Sequence, residues 1–278
     1  MALLPKSGDR PRGRGLKFEE GEPSTFGLER LKLDLYGAPA SFSHEKDIPI
    51  VNGERFVFDQ GATSSCVANS VLHGVLLKEN RLGYDFDEPS RLFGYYNSRK
   101  EHSGTIVMDT GTYIRTMCIA LRKHGCPSDQ FWTWSQLFTK VNRRPNWRAT
   151  RHAHPRRDGT FVRIYETGAE RDKAIQQALM NGHDVSFGTL IPTSFAPFKG
   201  PLLIELPAPT DPIGGGHAML IIGWAYFDGK LYYRVLNSWS RFWRDGGLCW
   251  MSAEYIRWKE TRDLHIIHGW RTLTKTIV

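Results

Sequence analysis

The chain has 278 residues, 40% of them apolar and 12% aromatic with nine Trp, so it can bury a core and global disorder is excluded. Its formal charge of +8 favours anionic partners, but an excess of that size on this length does not make a nucleic-acid binder. No stretch reaches the roughly 18 apolar residues of a membrane helix, so no membrane partner is expected.

Residues 1–40 are rich in Gly, Pro and Arg and read as a flexible basic arm, with a short periodic piece near Leu28–Leu35. The opening MALLPKSGDRPRGRG lacks the apolar centre of a secretory signal. Such an arm is expected either to be trimmed by proteolysis or to dock a partner through its charge. The four cysteines, Cys66, Cys118, Cys126 and Cys249, form no CxxC pair. That gives no support to a structural zinc site or a disulfide framework and points to a reducing compartment, read as cytoplasmic.

Ala68, Val71, Leu72, Val75 and Leu76 recur at the spacing of one helix face, behind Thr63, Ser64 and Ser65 as candidate N-cap residues. Cys66 is therefore expected in the first turn of a buried helix. Ile114, Met117, Cys118 and Leu121 predict a second helix ended by Gly125, and Ala174, Ile175, Ala178 and Leu179 a third ended by Gly182. Arg151–Arg157 reads as a solvated basic loop, and His152, His154, His265 and His268 lack the carboxylates or thiols of a metal site. Val185–Leu190 reads as a strand. His217–Phe227 and Leu231–Leu236 flank Asp228-Gly229, a hairpin signal, and Gly247–Ser252 is another strand. Helices first and strands later predict an α+β fold.

One set of residues carries chemistry. A thiol acts as a nucleophile through its thiolate, which a helix N-terminus and a neighbouring imidazole favour. The imidazole needs a group that fixes it, and the developing oxyanion needs a donor. Cys66 has the helix N-terminus. His217 follows Gly214-Gly215-Gly216, whose missing side chains leave room for close approach to a substrate. Asn237 ends the hairpin's second strand, which can return it beside His217. Gln60 lies six residues before Cys66 in a Gly-containing turn.

These residues stand in motifs. Asp59-Gln60-Gly61-Ala62-Thr63-Ser64-Ser65-Cys66-Val67-Ala68-Asn69-Ser70 resembles the nucleophile motif of the papain family of cysteine peptidases. Gly215-Gly216-His217-Ala218-Met219 resembles its histidine motif and Asn237-Ser238-Trp239 its asparagine motif, while Pro89–Asn97 and Gly125-Cys126-Pro127 resemble a bacterial-type branch. The resemblance covers roughly residues 45–270. It implies a two-lobed domain over 41–278, with a helical left lobe near 59–135, a β-barrel-like right lobe near 136–278 and the active site between them. It implies Cys66 as nucleophile, His217 as base, Asn237 as its orienting partner and Gln60 as oxyanion donor. It also implies that Gly111, Thr112 and Gly216 border the substrate, that Trp239 shields the Asn–His bond, and that no cofactor or metal is needed. The partner would be a peptide or protein substrate.

The departures lie around those four residues. A disulfide-forming cysteine is replaced by Thr63, the aromatic after the nucleophile by Val67, two glycines beyond Asn-Ser-Trp by Ser240 and Arg244, and one on the substrate strand by Thr112. They bear on substrate choice, so an amidase, a deconjugating enzyme or an acyltransferase on the same residues is an alternative, as is a non-enzymatic binding module. No long inhibitory pro-segment is expected in the first 40 residues.

Overall fold

The computed structural model describes residues 14–19, 37–104, 108–153, 160–197 and 199–267. The periodic piece near Leu28–Leu35, His154 and His268 fall outside them. Three short strands come first: β1 (Ser41–Ser43), β2 (Ile50–Val51) and β3 (Glu54–Arg55). The helical half follows with α1 (Cys66–Arg81), α2 (Arg91–Ser103) and α3 (Ile114–His124). The two short helices α4 (Phe138–Val141) and α5 (Trp147–Ala153) lead to β4 (Phe161–Arg163), α6 (Gly168–Met180) and β5 (Val185–Pro192). The chain ends in β6 (Leu203–Ile204), β7 (Ile213–Phe227), β8 (Lys230–Leu236), β9 (Leu248–Ser252), α7 (Ala253–Arg257) and β10 (Arg262–Ile267).

Helix α1 is apolar on more than one face because it lies between two layers. Val67, Ala68, Val71 and Leu72 join α2 and α3 in one core, while Leu77 packs with Leu220, Ile222 and Leu236 of the sheet in another. Its N-cap is Ser65, as expected, but the Ser65 side chain makes no cap bond. The hydroxyl instead meets Thr63 Oγ1 at 2.7 Å and accepts from Asn69 Nδ2 at 2.9 Å. Helix α3 ends where the sequence places it. Gly125 takes φ +74° and returns its N–H to Leu121 O at 2.8 Å, a backbone that a side chain would strain.

Eight strands form one open sheet in the order β4-β10-β5-β7-β8-β9-β6, with β1 paired to β7, and β2 and β3 pair with each other in a separate two-stranded sheet. Only β6 and β9 run parallel among the named pairs. Phe227 pairs with Lys230 across Asp228 (φ +48°) and Gly229 (φ +74°), the two left-handed residues of a tight hairpin turn. A third core, built on Trp224, Tyr233, Trp239, Trp243 and Phe187, lies between the sheet and α6. Burying an apolar side chain such as Phe187 contributes roughly 1.5–3 kcal/mol. No helix among the described residues is long and apolar enough to cross a membrane.

Candidate active site

Cys66 opens α1 from the helical half, and His217 sits inside β7, opposite Thr189 of β5. The two halves meet at the sulfur. The backbone N–H of Ala218, next to His217, is directed at the Cys66 thiol. On the other side of His217, Nε2 lies 2.8 Å from Asn237 Oδ1, which also accepts the backbone N–H of Ser238 at 2.8 Å. A backbone N–H can only donate, so the Asn237 atom is the oxygen, and His217 Nε2 carries the hydrogen. Nδ1 is then the basic nitrogen. It is buried and has no hydrogen-bond partner. Trp239 covers the pair at a ring separation of 4.7 Å and is itself buried.

Gln60 is held by both neighbours of the site. Its Oε1 accepts from Ser238 Oγ at 2.6 Å, its Nε2 donates to Thr63 O at 2.9 Å, and its backbone N–H reaches Ser238 O at 2.9 Å. Thr63, standing where a disulfide cysteine is expected, donates its hydroxyl to Gln60 O at 2.7 Å. A hydrogen bond thus closes the turn where the related motif has a covalent tie. None of the four cysteines is in a disulfide, and all four are buried. The two missing glycines also have a structural answer. Ser240 (φ +68°) and Arg244 (φ +45°) keep the left-handed backbone that glycine would adopt freely. Arg244 is held there by the carbonyls of Pro201 and Phe195 and by the rings of Phe195 and Trp243.

The sequence reading missed what lies on the sulfur. Residues 14–19 of the arm run through the site, although no inhibitory segment was expected there. Gly15 N–H donates to Cys66 Sγ at 3.4 Å. Its carbonyl accepts from Thr112 N at 2.9 Å, and Lys17 N–H reaches Thr112 O at 3.0 Å, so Leu16 pairs with Thr112 as a parallel strand. Gly111 (φ +73°) lies so close that a Cβ there would fall 1.9 Å from Gly15 O. Gly214 and Gly216 leave the room expected of them, and Arg14 and Leu16 occupy it: a Cβ on Gly216 would sit 2.9 Å from Leu16 O. Arg14 Nη1 donates to Gly214 O at 2.5 Å. The sequence signals were Gly15, where a side chain would strike Ser64 O, and the apolar–polar alternation of Leu16-Lys17-Phe18-Glu19, which turns Leu16 and Phe18 to one core.

The seated arm sets the electrostatics. Burial pushes the Cys66 thiol above its ordinary value, opposed in part by the N–H groups of Gly15, Ala218 and Val67. Burial pushes His217 down to about 4, with the Asn237 bond opposing and the Arg14 charge adding to the shift. Both shifts favour the neutral thiol and the neutral imidazole. The helix N-terminus and the imidazole favour the thiolate, and burial under the seated arm opposes them. Iodoacetamide should alkylate Cys66 of the full chain at pH 6 at least about tenfold more slowly than a free thiol, and the rate should climb with pH as thiolate forms. Equal rates at pH 6 would contradict this.

Comparison with known proteins follows the same lines. The sequence profile of papain family cysteine proteases matches residues 119–262, just over half the chain. That span holds His217 and Asn237 and begins beyond Gln60 and Cys66. A cathepsin B-like cysteine proteinase 6 of Caenorhabditis elegans is 32% identical over 75 residues, 27% of this chain and 19% of the nematode protein, so the chain matches about a fifth of that relative's length. Among solved structures, xylellain, a cysteine protease from Xylella fastidiosa, superposes with a TM-score of 0.77 at 22% identity, over 96% of this chain and 99% of that one. ProCathepsin B S9 from Trypanosoma congolense does so with a TM-score of 0.68 at 16% identity, over 94% and 87%. The fold is papain-like, although its sheet remains open.

Proposed function

The chain belongs to the papain family of cysteine proteases, and from that premise we propose that it hydrolyses peptide bonds with Cys66 as nucleophile, His217 as acid and base, Asn237 as the orienting residue and Gln60 as oxyanion donor. The observation that carries the reading is the His217 Nε2–Asn237 Oδ1 bond under Trp239. It fixes the tautomer that leaves Nδ1 as the base, beside a thiol at a helix N-terminus.

With the cleft open, the Cys66 proton passes to His217 Nδ1. The thiolate attacks the substrate carbonyl carbon and the oxygen takes the charge. The main-chain N–H of Cys66 and the Gln60 amide stabilise that oxyanion. His217 returns the proton to the amine as the C–N bond breaks, leaving an acyl-enzyme. Water then attacks the acyl carbon, giving its proton to His217, and the acid leaves as Cys66 is restored.

Leu16 supplies a template for one substrate side chain. It packs in the core that includes Ala218, and a Cβ on Gly188 would fall 2.5 Å from its Cδ2. An aliphatic residue is the substrate group that fits there. Gly111, Thr112 and Gly216 are the walls that a substrate backbone would share with the arm. Four buried cysteines outside any disulfide support a reducing compartment such as the cytoplasm as the place of action.

A mixed peptide library, with mass-spectrometric identification of cleavage sites, tests the reading. Cleavage that is lost on labelling Cys66 with an epoxide thiol reagent supports it. Labelling without cleavage of any peptide would move the assignment to an amidase or acyltransferase. Gln60→Ala should slow turnover by on the order of 10–1000-fold, as for other oxyanion donors. Asn237→Ala should cost less than Cys66→Ala, since Asn237 orients the base and does not react. An unchanged rate in Gln60→Ala would mean that its amide serves the turn alone.

A further inference from the structure

Leu16 is not the end of the template. Three residues on, Glu19 Oε2 lies 2.9 Å from Arg163 Nη1, and Glu19 Oε1 lies 4.0 Å from Arg115 Nη1. Both arginines border a cavity of about 540 Å³ between α3 on one side and β4 and β10 on the other. Arg122 and Lys123 join them, and Phe161 and Tyr165 give it apolar walls. None of the lining residues is acidic. Lys123 pairs with Glu101 outside the cavity, whereas Arg122 has no ion-pair partner among the described residues. The His265 imidazole, which also lines it, gives Nδ1 to Asp263 O at 2.7 Å and keeps Nε2 without a partner, an acceptor for an incoming N–H.

We propose that this cavity is an acidic subsite of the cleft, taking the carboxylate side chain of a peptide substrate three residues beyond the one seated in the Leu16 pocket. The inference rests on the peptidase reading above and names its substrate class: an acidic residue, a two-residue spacer and an aliphatic residue on the acyl side of the cut. An extended chain covers roughly 3.3 Å per residue, so three residues carry a side chain from the Leu16 pocket to the guanidinium groups, as the arm itself does. Asp263 already pairs with Arg163 at 2.6 Å and Glu101 with Lys123 at 3.0 Å, which leaves Arg115 and Arg122 as the charges that an incoming carboxylate offsets and a neutral side chain does not. A solvated basic face explains positive charge in general. It does not explain a carboxylate held at the edge of that recess by two of its arginines, on a segment that leads from the nucleophile.

Quenched fluorogenic peptides tested on the full chain decide the matter. They share an aliphatic anchor and differ only in Glu, Gln or Lys three residues before it. The Glu peptide should show kcat/KM about fivefold above the Gln peptide and further above the Lys peptide, a ratio that shrinks as salt rises. The double variant Arg122→Gln, Lys123→Gln should narrow the Glu-to-Gln ratio, while Lys230→Gln on the β7–β8 turn should leave it as in the wild type. Equal kcat/KM for Glu and Gln peptides, or a preference untouched by the double variant, overturns the subsite. Should no peptide be cut, the peptidase reading fails on its own. Fluorescence polarisation of the same peptides on Cys66→Ala then decides the subsite, tighter binding of the Glu peptide supporting it and equal binding overturning it.

Discussion

Cys66→Ala should lower peptide hydrolysis by on the order of 10⁴-fold or more, and His217→Ala by a comparable factor. The two losses should not multiply. The sulfur and Nδ1 act as one unit: without the base the thiol remains protonated, and without the thiol the base has nothing to activate. A double variant should therefore be about as slow as either single one. The measurement is the initial rate on a fluorogenic peptide, with protein purified free of other proteases. Activity of Cys66→Ala within tenfold of the wild type would sink the nucleophile assignment. Neither change should unfold the chain. Cys66→Ala removes one buried sulfur, and His217→Ala leaves the Asn237 oxygen still paired with Ser238 N–H.

Leu16→Asp should raise the initial rate of the full chain by about tenfold or more. The arm holds its place through a short parallel pairing with Thr112, the Gly15 contact to Cys66 and one fully apolar anchor. Withdrawing a buried Leu side chain forfeits roughly 1.5–3 kcal/mol, a factor of about 10–100 in the fraction of open cleft. A carboxylate in that pocket adds its own desolvation cost. The same variant should speed alkylation of Cys66 at pH 6, because water re-enters and the Arg14 charge leaves His217. Rates and alkylation both equal to the wild type would show that residues 14–19 do not limit access. The group turned toward the sulfur is the Gly15 N–H, not a carbonyl carbon. That geometry favours a plug over a substrate, and intact-mass measurements on the wild type and Cys66→Ala over several days would separate the two.

Much of the site was legible in the order of residues because the relevant physics is local. A cap followed by apolar residues three and four apart makes a helix start, and so Cys66 was placed at the head of α1. Asp228-Gly229 between two β-prone runs makes a hairpin, and so Asn237 was returned beside His217. The glycines before His217 advertised open space. The departures were legible as differences but not in their consequences. Arg244 takes a left-handed backbone with its guanidinium on the carbonyls of Phe195 and Pro201, and Ser240 does so with its N–H on Phe58 O, long-range contacts that no local pattern encodes.

Tertiary structure alone decided what fills the open space and what state the pair adopts. Of the six arm residues, Leu16-Lys17-Phe18-Glu19 alternates apolar and polar side chains, a run too short to fix its own place. Their place is set by Thr112, Gly111 and the glycines ahead of His217, between about 95 and 200 residues away along the chain. The neutral thiol and imidazole follow from that placement, because burial is a property of the assembled cleft and the same residues under water would favour the ion pair. The basic recess follows too: Arg115 and Arg122 come from α3 and Arg163 from β4, and only the packing of that helix against the strands joins them around one cavity, with Glu19 against Arg163 and Arg115.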